Sequence, residues 1–242
     1  MTINTIDESQ RKAAIVVGFS YLFAMATAVF ADVYARGNLI VANEAAETAR
    51  NIMANERLWR LGIASYVLCL LTDVALIAAL YVILKRVNEN LALFAAFMRV
   101  IETAIHVDAT LNSFDVLRLL SGADYLKPLG TDQLAALARI PVSTYGSGLN
   151  VGFVFLGIGS ALFGYLWFKS KYIPRSLAAL GVVGSLLLAV GSFAIIIFPE
   201  LEKILGLTYL LPLGVFEITV GIWLLIKGLR PYHTAGPEEG IA

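Results

Sequence analysis

Leu61-Gly62-Ile63-Ala64-Ser65-Tyr66-Val67-Leu68-Cys69-Leu70-Leu71-Thr72-Asp73-Val74-Ala75-Leu76-Ile77-Ala78-Ala79-Leu80-Tyr81-Val82-Ile83-Leu84 carries one charged side chain, Asp73, and is bounded by Arg60 and Lys85. The apolar residues are continuous rather than alternating, so the stretch reads as a helix and not as a barrel strand. At about 1.5 Å per residue it is long enough for the roughly 30 Å of a bilayer core. Working outward, the full set of such runs covers about residues 13–34, 59–84, 91–117, 145–168, 176–198 and 205–228. The expected fold is all-α: a polytopic transmembrane bundle of about six spanning helices.

Composition agrees with this. The chain of 242 residues is 59% hydrophobic and 15% charged, against about 25% charged in a soluble domain. Lipid must therefore solvate much of the surface. The 18 basic and 18 acidic residues cancel, so no basic face marks a nucleic-acid partner. Cys69 is the one cysteine. It can form no disulfide within the chain, and a cysteine-based metal site is not expected. Arg11 and Lys12 ahead of the first apolar run, with Ala24-Met25-Ala26 inside it, mimic a signal peptide. The run is longer than a signal core and reads as a retained anchor.

Basic residues in the short connections set the expected orientation. Arg11/Lys12, Lys85/Arg86, Lys169/Lys171/Arg175 and Lys227/Arg230 share one side, while Pro199-Glu200-Leu201-Glu202-Lys203 on the other is net acidic. The expectation is a cytoplasmic N-terminus over 1–12, one transmembrane domain over 13–230 and a flexible cytoplasmic tail over 231–242. Two outer loops carry short surface helices in this reading. Asn43 would cap one running through Arg50, and Thr131–Arg139 would form another, ended by Pro141. They lie on the outer face as interfacial packing or as a lid. No internal repeat is evident, which weighs against an inverted-repeat transporter.

Gly164-Tyr165-Leu166-Trp167-Phe168-Lys169-Ser170-Lys171-Tyr172-Ile173-Pro174-Arg175 resembles a signature of the bacterial membrane family known as domain of unknown function 4386. Leu80–Lys85, Asn88–Leu93 and Phe97–Glu102 resemble further parts of its pattern. The resemblance covers most of the chain. It implies a multi-pass protein of the bacterial cytoplasmic (inner) membrane and carries no activity. In physical terms Lys169, Lys171 and Arg175 would anchor at the cytoplasmic headgroups with Tyr172 beside them, and Pro174 would start the fifth span.

Ionisable residues at membrane depth are costly and mark candidate sites. The third span carries Arg99, Glu102 and His106, which with Ser113 fall within roughly 60° of one another at about 100° per residue. Asp73 in the second span and Glu217 in the sixth complete the candidate set for ligand or proton binding. Asp73, Glu102 and Glu217 oppose only Arg99, so a proton, a charged His106 or a bound cation must make up the balance. Gly214, Gly221 and Gly228 recur every seven residues, and Gly148/Gly152 and Ser160/Gly164 are small-xxx-small pairs; both suit close packing in the bundle, with a homodimer seam as the alternative. Pro212 is expected to bend the last span beside Glu217. The spacing encodes neither a nucleotide site nor a metal site, and no cofactor is indicated. Three functions follow: binding or moving a small molecule, a lipid or a proton at the Arg/Glu/His cluster; a membrane-embedded enzyme using Glu102 and His106 as acid and base; or a structural subunit of a larger membrane complex.

Overall fold

A computed structural model describes residues 6–231 in full, with the backbone of 3–4 and 232–233. Helix α1 (Glu8–Val29) opens on a reciprocal capping box: Asp7 Oδ1 accepts from the Gln10 N–H at 2.7 Å, and Gln10 Oε1 accepts from the Asp7 N–H at 3.3 Å. The helix runs on as a wider π-helical segment, Phe30–Arg36. Then come α2 (Ala45–Ala54), α3 (Glu56–Leu84), α4 (Glu89–Leu119) and α5 (Thr131–Ser170). The chain closes with α6 (Arg175–Ile197), the short α7 (Leu201–Leu205), a 3-10 turn Thr208–Leu210 and α8 (Leu211–Lys227). Six of these segments are long and apolar enough to cross a membrane: Glu8–Arg36, Glu56–Leu84, Glu89–Leu119, Thr131–Ser170, Arg175–Ile197 and Thr208–Lys227. The protein is an all-α, multi-pass membrane bundle.

Contacts run mainly between α4 and α5, α5 and α6, α1 and α3, and α1 and α8. Close approach depends on glycine at several crossings. A Cβ on Gly157 would sit 2.6 Å from the Ser185 carbonyl, and one on Gly18 would sit 2.9 Å from that of Gly221. Gly214 has room for a side chain, the nearest atom being Met25 Cε at 3.6 Å. Gly228 instead ends α8 with φ +65° and ψ −162°, a backbone conformation open essentially to glycine alone.

Besides a small cluster of Ala31, Tyr66 and Leu70, the apolar core has two main parts. The larger, toward the chain ends, holds Leu80, Ile83, Leu84, Phe163, Trp167 and Phe216. The other, at the far end, holds Leu39, Ile52, Trp59, Ile63, Val116 and Val142. Buried polar residues of α4 lie between them along the chain: Arg99, Glu102, Thr103, His106, Thr110 and Ser113.

Several local expectations give way. Thr131–Arg139 is not a separate surface helix. It is the first part of α5, a 40-residue helix that runs through Pro141. At about 1.5 Å per residue α5 is about 60 Å long, twice the hydrocarbon thickness. Pro141 lies ten residues from its start and is buried, and the helix continues through it although proline cannot bond the carbonyl one turn back. Asn43 does not cap α2; it has φ +62°, Glu44 holds the cap position, and neither side chain closes the helix. The Thr48 hydroxyl ties the preceding loop down instead, accepting from the Val41 N–H at 2.9 Å. Pro212 does not bend the last span, because the helix begins at Leu211 and proline there sits in the first turn.

Tyr172 faces into the protein. It is 4% exposed, and its hydroxyl accepts from Gln10 Nε2 at 3.4 Å, the same amide that donates to the Ile83 carbonyl at 3.3 Å. Its own carbonyl accepts from the Arg230 N–H at 2.8 Å. The Tyr-Ile-Pro-Arg signature thus ties α1, α3 and the segment after α8 together. Backbone pairing of Ile3–Asn4 with Tyr232–His233 brings the two ends of the chain side by side. The expected flexible tail from 234 onward lies outside the described residues.

Candidate functional site

The stripe on α4 is inside the bundle. Arg99, Glu102 and His106 are each 2–3% exposed. Their spacing of three and four residues stacks them on one helix face. Arg99 reaches three helices at once. Its Nη1 donates to Ser160 Oγ on α5 at 2.9 Å, its Nη2 pairs with Asp73 Oδ1 on α3 at 3.4 Å, and its Nε lies 3.3 Å from Glu102 Oε2. The last contact is an ion pair without hydrogen-bond alignment, so Nε and Oε2 have no hydrogen-bond partner among the described residues. Glycine makes the approach possible: a Cβ on Gly159 would sit 2.9 Å from Arg99 Cγ.

His106 is held from three sides. Its Nδ1 is 2.9 Å from Glu102 Oε1 and 3.3 Å from the Tyr66 hydroxyl, and its Nε2 is 3.3 Å from the Leu149 carbonyl. A carbonyl only accepts, so Nε2 carries a hydrogen. An ionised Glu102 then draws a second proton onto Nδ1. A protonated Glu102 leaves Nδ1 free to accept from it or from Tyr66. One proton can thus reside on either partner without movement of the helices.

Asp73 and Glu217 differ from these three. Asp73 touches Arg99, and Cys69 Sγ is 4.0 Å from its other oxygen. Its side chain is 13% exposed. Glu217 is half-buried. Among the described residues it makes no hydrogen bond or ion pair, and it senses Arg99, Asp73 and Glu102 only through their charge. The structure thus brings Arg99, Glu102, His106 and Asp73 into direct contact and leaves Glu217 at the margin. Among the described residues no group of three or more His, Cys, Asp and Glu side chains is arranged to hold a metal ion.

A second polar group lies farther along, which sequence reasoning passed over. The Tyr145 hydroxyl donates to Asp32 Oδ1 at 2.7 Å, and Asp32 pairs with Arg36 Nε at 3.4 Å. The Arg36 guanidinium lies 3.5 Å over the Tyr145 ring and 4.7 Å from that of Trp59, and it donates to Ser113 Oγ. Trp59 Nε1 donates to the Ser113 carbonyl at 3.0 Å. Tyr66 and Tyr145 pack edge to face with ring centroids 5.9 Å apart, joining this group to His106. Asp32 was visible as a carboxylate near the end of the first apolar run. Nothing in the sequence paired it with Tyr145, 113 positions away.

The family model described as a domain of unknown function (DUF4386) matches residues 16–228. The chain belongs to that family. An uncharacterised protein of Archaeoglobus fulgidus is 26% identical over 167 residues, covering 67% of this chain and 81% of that protein. No solved structure matches this DUF4386 protein. Neither name carries a chemistry, so functional argument rests on the site.

Proposed function

We propose that this is a protein of the bacterial cytoplasmic membrane, with both chain ends cytoplasmic, that holds and exchanges a proton at Glu102 and His106. The observation that carries the reading is the 2.9 Å contact between Glu102 Oε1 and His106 Nδ1, both residues 2–3% exposed. A histidine beside a carboxylate in a water-poor interior is a proton-sharing pair by its chemistry. A proton is favoured over a larger ligand because the polar atoms of the cluster already touch one another. The wide surface grooves lie elsewhere. One of about 430 Å³, lined by Ile15, Phe19, Leu68 and Leu71, is apolar and suits lipid chains. The orientation is supported by basic residues clustered on the side of the chain ends.

A structural reading has its own support in Arg99, which contacts Asp73, Glu102 and Ser160 on three helices and so pins their register. Infrared difference spectra of the full-length protein in lipid nanodiscs separate the two. With pH stepped across the range where carboxyls and imidazoles titrate, the expected result is a carboxylic-acid band that changes with pH and is missing in Glu102→Gln. Spectra identical for wild type and Glu102→Gln at every pH would leave only the structural role.

A further inference from the structure

The geometry points to Asp32 as the port through which the Glu102–His106 pair exchanges its proton with water, on the side away from the chain ends, by way of Tyr145 and Tyr66. This rests on the reading of Glu102 and His106 as a proton-exchanging pair. Four observations carry it. The Tyr66 hydroxyl is 3.3 Å from His106 Nδ1. Tyr66 and Tyr145 are each 5% exposed and pack edge to face at 5.9 Å. The Tyr145 hydroxyl donates to Asp32 Oδ1 at 2.7 Å. The Asp32 side chain is 30% exposed, so the series ends at a carboxylate that water can reach.

Position in the membrane agrees. From Lys12 to Asp32 the helix climbs about 30 Å at 1.5 Å per residue, which is the hydrocarbon thickness. The π-helical segment that contains Asp32 and Arg36 is an irregularity of the kind that recurs at functional sites.

The transfer balances. A proton leaves His106 Nδ1 for the Tyr66 oxygen as the Tyr66 proton moves to the Tyr145 oxygen, the two phenol side chains standing within hydrogen-bonding reach of each other. The Tyr145 proton moves to Asp32, and water takes it from there. Each phenol receives one proton and gives one, so only the imidazole and Asp32 change charge. The observed donation from Tyr145 to Asp32 is the starting arrangement for this outward step. Asp32 is faced by Arg36 on its own helix, Tyr145 on α5 and Tyr66 on α3, with His106 of α4 sensed at longer range. Glu102 is faced by Arg99 and His106 on α4 and by Asp73, Tyr66 and Cys69 on α3, with Glu217 of α8 beyond.

The test follows the Glu102 infrared band after a rapid pH jump, using the full chain in nanodiscs. Tyr145→Phe keeps the ring under Arg36 and removes only the hydroxyl. Tyr145→Phe and Asp32→Asn are expected to slow the response about tenfold or more, as loss of a positioned proton carrier does, with the final amplitude unchanged. Asp32→Glu is expected to keep the wild-type rate. Matching thermal melts for Tyr145→Phe and wild type exclude misfolding as the cause. Full amplitude at the wild-type rate in both Tyr145→Phe and Asp32→Asn overturns the port while leaving the proton-exchanging pair intact. A wild-type band that never responds to pH removes the pair, and the port with it.

Discussion

Gly152 on α5 faces the His106 ring so closely that a Cβ there would lie 2.2 Å from Nε2 and 2.4 Å from Cδ2. The imidazole occupies the space a side chain would take, and this lets Nε2 reach the Leu149 carbonyl one turn away. The glycine looked like an ordinary small residue for helix packing. It is also the wall of the site.

Gly152→Ala is therefore expected to displace the imidazole or spread α4 from α5. Overpacking of this kind costs about 1–3 kcal/mol, and proteins in a compact bundle have little room to relax it. Thermal unfolding in detergent, followed by circular dichroism, reads the loss. Gly146→Ala is the control, since nothing lies within 4 Å of a Cβ at that position. Equal melting temperatures for the two variants would show that the His106 ring is not seated against α5.

Arg99→Leu and Glu102→Gln are expected to differ in stability. Removing Arg99 leaves Asp73 and Glu102 as buried carboxyls with no cation in contact, apart from a charged His106 beside Glu102. Loss of one partner from a buried pair costs about 3–5 kcal/mol. Glu102→Gln leaves Arg99 its contacts with Asp73 and Ser160 and keeps the side-chain volume, so the loss is smaller. Chemical or thermal denaturation of both variants in one detergent checks the order. A larger loss in Glu102→Gln would make Glu102, rather than Arg99, the residue that holds the helices together.

Orientation is open to direct labelling. Ser170 is a poor probe, because it is 7% exposed and its hydroxyl donates to the Trp167 carbonyl. Ser176 and Asp132 are exposed and stand near opposite ends of the bundle. In a Cys69→Ser background, Asp132→Cys is expected to react with a membrane-impermeant maleimide added to intact cells. Ser176→Cys is expected to react only after the membrane is opened. The reverse pattern would invert the protein in the membrane and turn the Asp32 end toward the cytoplasm.

The number of spans was legible in the sequence because hydrophobicity over 20 or so residues is a local quantity, and lipid forbids an unpaired backbone. Helix ends were less legible. The Thr131–Arg139 stretch carries a capping residue and is followed by proline, which in water or lipid alone would mark two ends. Continuity through Pro141 came from packing of Ala138 and Val142 in the far-end core. Such contacts join residues distant in the chain and leave no local mark.

The same division holds at the site. Periodicity alone put Arg99, Glu102, His106 and Ser113 on one face of a helix, since 100° per residue fixes that geometry before any packing. The cost of exposing them to hydrocarbon turned that face inward. Which side chains answer them was decided only when α3 and α5 closed on α4. Asp73 and Ser160 met Arg99, Tyr66 met His106, and Glu217 found no direct partner among the described residues. A helix determines its own faces by itself; which groups meet across an interface depends on rotation and register of separate helices, and these are properties of the whole bundle.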